Sequence, residues 1–118
     1  KILVVDDDIA INELVKVNLE LQGYNVIQAY NGVEGFAKAK QEEPNLIILD
    51  VMMPKINGYK ISRLLKYDSK YKDIPIIMVT ARSQLEDKMI GEETGVNEYI
   101  TKPFELDAIV KKVEEYLK

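Results

Sequence analysis

Four strand-like stretches of this 118-residue chain end on a side chain that can do chemistry. Ile2-Leu3-Val4-Val5 ends on Asp6-Asp7, Leu46-Ile47-Ile48-Leu49 on Asp50, Ile74–Val79 on Thr80, and Glu98–Thr101 on Lys102. Three carboxylates gathered at one place repel one another, each pair at about 5 Å by roughly 3 kcal/mol when the effective dielectric is near ~20. Such a cluster persists only beside positive charge. Lys102 supplies one ammonium, and a hard divalent cation would offset the rest. The chain has no cysteine and no histidine, so every metal donor is an oxygen, which favours Mg²⁺ over zinc or copper. A carboxylate held beside Mg²⁺ and a lysine suits attack on phosphorus. Asp50 would be the nucleophile and form an aspartyl phosphate, while lysine and cation neutralise the oxygens as charge builds. Each residue taken singly has a plainer reading: Asp8 and Asp50 as helix caps or turn residues, Thr80 as uninformative, Lys102 before Pro103 as a surface lysine. Their concurrence at four strand ends favours a site.

The elements that would bring these residues together alternate along the chain. After the first strand, Ile11, Leu14, Val15 and Leu19 keep offsets of 0, 3, 4 and 8, predicting a helix over 9–22 with Asp8 as N-cap and Gly23 just past its end. Val17 and Leu21 fall off that stripe. Residues 24–29 read as a second strand. Asn31 caps the next helix, with Glu34 placed as in a capping box, and that helix ends before Pro44. Leu46–Leu49 is apolar throughout, as a strand covered on both faces must be. Asn57-Gly58 leads into a helix at Tyr59–Tyr67, and Ile74–Val79 is the fourth strand. The stretch 84–94 reads as a weakly amphipathic helix. Glu98–Thr101 is the fifth strand, and Leu106, Ile109, Val110, Val113 and Leu117 predict a closing amphipathic helix. Five strands and five helices joined by right-handed crossovers make an α/β doubly wound parallel sheet, whose ligands bind at the carboxyl ends of the strands.

Composition bounds the rest. The length suits one domain. Sixteen basic against 20 acidic residues give a net charge of −4, and only Arg63 and Arg82 are arginines, so direct nucleic-acid contact is not expected. No apolar stretch approaches bilayer length and the first residues are not a signal peptide, so a soluble, cytoplasmic chain without membrane contact is expected. The acidic loop after the first strand disfavours a dinucleotide or flavin phosphate site, and no P-loop motif is present. Because the chain begins at Lys1 rather than methionine, it is expected to be a fragment or to lack its first residues.

The whole chain resembles the receiver domains of bacterial two-component response regulators, the CheY-like fold. Val4-Val5-Asp6-Asp7-Asp8, Leu49-Asp50-Val51-Met52-Met53-Pro54, Val79-Thr80-Ala81 and Tyr99-Ile100-Thr101-Lys102-Pro103-Phe104 stand in the family's order and spacing. The resemblance implies a single receiver domain over 1–118 with strand order 2-1-3-4-5. It also implies phosphorelay signalling by a regulatory domain that is not an enzyme beyond its own phosphorylation and dephosphorylation. By that resemblance Asp50 is the phosphoacceptor, receiving its phosphoryl group from a phosphohistidine on a sensor histidine kinase. Asp7 would ligate Mg²⁺ directly and Asp6 through water, with Asp50 and the backbone carbonyl of Met52 completing the protein's share. Thr80 would hydrogen-bond the phosphoryl group and Lys102 would pair with it, its bond to Pro103 being cis.

Tyr99 matches the aromatic switch position, which turns inward as Thr80 moves; a half-buried strand tyrosine without a switching role is the alternative. The 84–94 helix, the 97–101 strand and the last helix would form the output surface for a downstream output domain, a target protein, or a second copy in a phosphorylation-dependent homodimer. Val96-Asn97-Glu98 and Lys111-Lys112-Val113-Glu114 only partly match receivers of winged-helix transcription factors, which leaves the dimer open. Asn57 replaces the usual aspartate, read as a turn detail. Met52 and Arg82 occupy positions that tune phosphate lifetime, Met52 by shielding phosphorus from water. Two other readings fit less well. A haloacid-dehalogenase-like phosphatase needs a second aspartate where Met52 stands, and a degenerate receiver acting only as a binding module would have lost part of the acidic cluster or the lysine.

Overall fold

The computed structural model describes residues 1–53, 56–81 and 96–117. Five strands, β1 (Ile2–Val5), β2 (Val26–Ala29), β3 (Leu46–Asp50), β4 (Ile76–Ala81) and β5 (Glu98–Lys102), form one parallel sheet in the order β2-β1-β3-β4-β5. Around it pack α1 (Ile9–Leu21), α2 (Gly32–Glu42), α3 (Gly58–Lys66) and α4 (Leu106–Leu117). This is the expected doubly wound sheet. Of the five helices expected, the one at 84–94 lies outside the described residues, which hold these four.

Strand parity divides the core. Side chains alternate across a strand, so Ile2, Val4, Ile48, Ile77 and Val79 face α1 and α4, where Val15, Leu19, Ile109 and Val113 meet them. Leu3, Val5, Ile47, Leu49, Ile76 and Met78 face the other way, onto Ala39 of α2 and Ile61 and Leu65 of α3. Two of the three interior strands, β1 and β3, are buried at every position, which is why neither tolerates the polar alternation of a one-sided sheet.

Local chemistry fixes the helix starts. The carboxylate of Asp8 accepts from the Ile11 amide at 3.1 Å, and Asn31 Oδ1 accepts from the Glu34 amide at 2.8 Å. Glu34 reaches back to the Tyr30 amide at 2.7 Å, one residue before the cap. Asn57 Oδ1 accepts from the Lys60 amide at 3.0 Å, so the residue read as a turn detail is the N-cap of α3.

Three expectations shift. The second strand begins at Val26 rather than 24. The fourth begins after Pro75, which has no N–H for the ladder, and runs on to Ala81 because Thr80 and Ala81 still pair with Thr101 and Lys102. The face of α1 is rotated from the expected stripe: Leu14 is 53% exposed, while Asn12, Val15 and Leu19 point inward. The reason is Asn12, whose amide is satisfied among strand-end carbonyls and so turns that side of the helix to the sheet.

Candidate functional site

The carboxyl ends of β1, β3 and β5 bring the expected side chains together. The Asp6 amide still donates to Ala29 O at 3.2 Å, continuing the ladder, and the chain then turns into α1. The Asp6 carboxylate accepts from the Asp8 amide at 2.9 Å, which aims it into the crevice, where it is buried. Asp7 is exposed beside it. Asp50 is the last residue of β3 and is also buried. Carboxylate oxygens of Asp6, Asp7 and Asp50 lie within 4.8 Å of one another. Lys102, at the end of β5, places Nζ 3.3 Å from Asp6 Oδ2 and 3.4 Å from Asp50 Oδ1. The Lys102–Pro103 peptide is cis, as the resemblance implied.

The other expected residues stand around this group. Strand register sets Asp50 opposite Val79, so Thr80 follows one residue further along β4; it is almost wholly buried. Met52 lies in the loop directly after Asp50, with its side chain 62% exposed. Tyr99 pairs with Met78 in the ladder and is partly buried against the core on the α2 and α3 side. Arg82 lies outside the described residues.

The electrostatics follow from burial. Desolvation raises the Asp50 pKa from the usual 3.8 to about 6, the Asp6 charge adds to the rise, and Lys102 opposes it. Burial also raises Asp6, against the pull of the Asp8 amide and of Lys102. Burial works against the Lys102 ammonium, but the charges of Asp50 and Asp6 outweigh it and hold the lysine above its usual value. With all groups ionised, three carboxylates against one ammonium leave two unbalanced negative charges, which a single divalent cation would neutralise. The donors are all oxygen, so this set fits Mg²⁺.

Sequence reasoning missed two residues that position the cluster. Asn12 is fully buried and bonds the carbonyls of Asp6 and Ala29; its signal was a polar residue three and seven places before Val15 and Leu19 on one helix face. Gly58 opens α3 against Asp50, where a Cβ would stand 2.5 Å from the Asp50 carbonyl oxygen. The Asn57-Gly58 pair was visible, but the approach of β3 to that position was not.

Comparison with known proteins agrees with this geometry. The sequence profile of the response regulator receiver domain matches residues 2–114. The chain is 43% identical over 118 residues to the DNA-binding dual master transcriptional regulator RpaA of Synechocystis sp., a match covering 100% of this chain and 49% of that protein. It is 45% identical over 116 residues to the alkaline phosphatase synthesis transcriptional regulatory protein PhoP of Bacillus subtilis, covering 96% and 48%. It thus spans about half the length of these relatives. Among solved structures, the chemotaxis response regulator CheY4 of Vibrio cholerae superimposes with a TM-score of 0.91 at 34% identity, covering 98% of this chain and 97% of that one.

Proposed function

This chain belongs to the family of response regulator receiver domains, and from that premise we propose that it is a Mg²⁺-dependent phosphorylation switch. Asp50 accepts a phosphoryl group from a phosphohistidine of a sensor histidine kinase. The observation that carries this reading is the convergence of Asp6, Asp7, Asp50 and Lys102 at the carboxyl edge of the sheet, with Asp50 buried beside the ammonium.

The chemistry asked of these residues is modest. Lys102 contacts Asp50 Oδ1, leaving Oδ2 to attack phosphorus; the O–P bond forms as the P–N bond breaks, and the imidazole leaves with that electron pair. Asp50 must be ionised to attack, and a pKa of about 6 leaves it so at neutral pH. Asp6, Asp7, Asp50 and the carbonyl of Met52 would hold Mg²⁺, which when bound supplies charge neutralisation at the phosphoryl oxygens. Lys102 then pairs with the transferred group, Thr80 hydrogen-bonds it, and Tyr99 turns inward as Thr80 moves. Phosphorylation biases a two-state equilibrium, so the response is limited by the difference in phosphate contact energy between the states.

The donor site adjoins the output surface where β5 ends and α4 begins. Beside Lys102 lies a largely apolar cleft of about 480 Å³ lined by Ile11, Leu14, Pro103, Phe104 and Leu106, which supports docking of a protein donor next to the reacting carboxylate. The output surface comprises β5 and α4, joined in this proposal by the 84–94 stretch outside the described residues, and it serves a downstream output domain, a target protein or a second copy. Phosphoramidate, a small P–N donor, tests the reading directly. With Mg²⁺ the parent chain should form an aspartyl phosphate, chelation should prevent it, and Lys102→Ala should keep some uptake while losing the conformational response seen by amide chemical shifts. Uptake unchanged under chelation would contradict the proposal.

A further inference from the structure

The β1–β2 ladder ends on the rung that joins Val5 to Ala29, and the side chain of a helix residue continues it. Asn12 of α1 is 0% exposed. Its Nδ2 donates to Asp6 O at 3.0 Å and to Ala29 O at 2.9 Å, using both hydrogens, while its Oδ1 accepts from Gln28 Nε2 at 3.0 Å. Gln28 is held in turn: its Nε2 also donates to Glu13 Oε2 at 3.1 Å, and its carbonyl accepts from Lys38 Nζ at 2.6 Å.

We infer that Asn12 is a positioning residue for the cation site, setting the main chain between Asp6 and Asp7 and through it the affinity for Mg²⁺. This rests on the proposed reading of Asp6, Asp7 and Asp50 as the ligand set. The physical link is the planar peptide. The Asp6 carbonyl held by Asn12 belongs to the same plane as the Asp7 amide, so fixing that oxygen fixes where the Asp7 Cα emerges. The Asp6 carboxylate is already held by the Asp8 amide and Lys102. Asp7 is the exposed member of the cluster, and its direction depends on that peptide plane. An apolar side chain at position 12 would fill the volume, as Val15 and Leu19 do on the same face, but would leave the Asp6 carbonyl free to rotate. Groups that orient metal ligands from behind commonly change affinity about 10–100-fold when removed.

Mg²⁺ titration calorimetry at pH 7.5, paired with thermal unfolding without the ion, tests this on the 118-residue chain. Asn12→Leu keeps volume and removes the amide; it should weaken Mg²⁺ binding about tenfold, and Gln28→Ala, which removes only the orienting partner, about threefold. Val15→Ala, a core truncation on the same helix, should lower the melting temperature and leave Mg²⁺ affinity within about twofold of the parent, separating positioning from stability. Folded Asn12→Leu that binds Mg²⁺ as tightly as the parent overturns the inference. Should that variant fail to fold, Gln28→Ala decides it, and unchanged affinity there overturns it equally. A parent that binds no Mg²⁺ removes the cation-site reading and this inference together.

Discussion

Asp50 is destabilising in the resting domain, and its titration makes that measurable. Folding raises its pKa from 3.8 to about 6, so between those values the folded chain binds the proton more tightly than the unfolded chain. The contribution of this group to stability is therefore present at low pH and is lost as pH climbs through 6. Asp50→Asn should accordingly be more stable than the metal-free parent near neutral pH, by on the order of 2 kcal/mol, with the gap closing as pH falls from 6 toward 3.8. Thermal unfolding of both proteins across that range checks it, and a pH-independent gap would contradict the assigned cause. The same proton competes with the cation: below pH 6 the Mg²⁺ affinity of the parent should fall, by up to about tenfold per pH unit, as calorimetry at several pH values would register. Asp6, Asp7, Asp50 and Lys102 were legible in the sequence because an apolar strand that stops on a charged residue presents that residue at the sheet's edge. Asn12 was not, because its amide donates to backbone carbonyls, which no side-chain pattern displays.

Helices set the precision with which those residues meet. The first turn of α3 lies against the end of β3: Gly58 N donates to Val51 O at 3.0 Å, and a Cβ at Gly58 would stand 2.5 Å from Asp50 O and 3.0 Å from Met78 Sδ. Gly58→Ala has nowhere to go without moving the main chain of Asp50. It should destabilise the domain by about 1–3 kcal/mol and slow phosphoryl uptake, read by denaturant unfolding and by the rate of uptake from phosphoramidate. Wild-type uptake and stability would show that the loop yields freely. The four described helices were legible to within a residue or two from their caps and apolar spacing. The face of α1 was not, because apolar periodicity alone points Leu14 inward. One fully satisfied asparagine outweighs that pattern and leaves Leu14 exposed.

Across the whole molecule, the proposed chemistry lies at the carboxyl edge of the sheet, and a separate set of ties lies at the amino edge. At the amino edge, Lys66 Nζ donates to the carbonyls of Lys72 and Ile74 at 2.9 and 3.2 Å and to Asn97 Oδ1 at 3.4 Å, tying α3 to the starts of β4 and β5. Lys66→Met should cost roughly 1–3 kcal/mol in chemical denaturation while leaving phosphoryl uptake intact; loss of uptake in the folded variant would show that the edges are coupled. On the face proposed for output, Lys112 pairs with Glu98 at 3.2 Å and the Tyr116 hydroxyl donates to Asn97 O at 3.1 Å, tying α4 to the start of β5. The doubly wound parallel sheet followed from alternating strand and helix patterns together with the handedness of crossovers, whereas its strand order came with the family resemblance. The ammonium shared between Asp6 and Asp50 did not, since it depends on where β5 ends in space. The central claim is that Asp50 alone carries the phosphoryl group. Intact-mass analysis after incubation with Mg²⁺ and a small acyl phosphate should show one acid-stable, base-labile phosphoryl group on the parent and none on Asp50→Asn or in chelator. Full modification of Asp50→Asn at another residue, or no adduct on a folded parent that binds Mg²⁺ and forms no beryllofluoride complex, would contradict it.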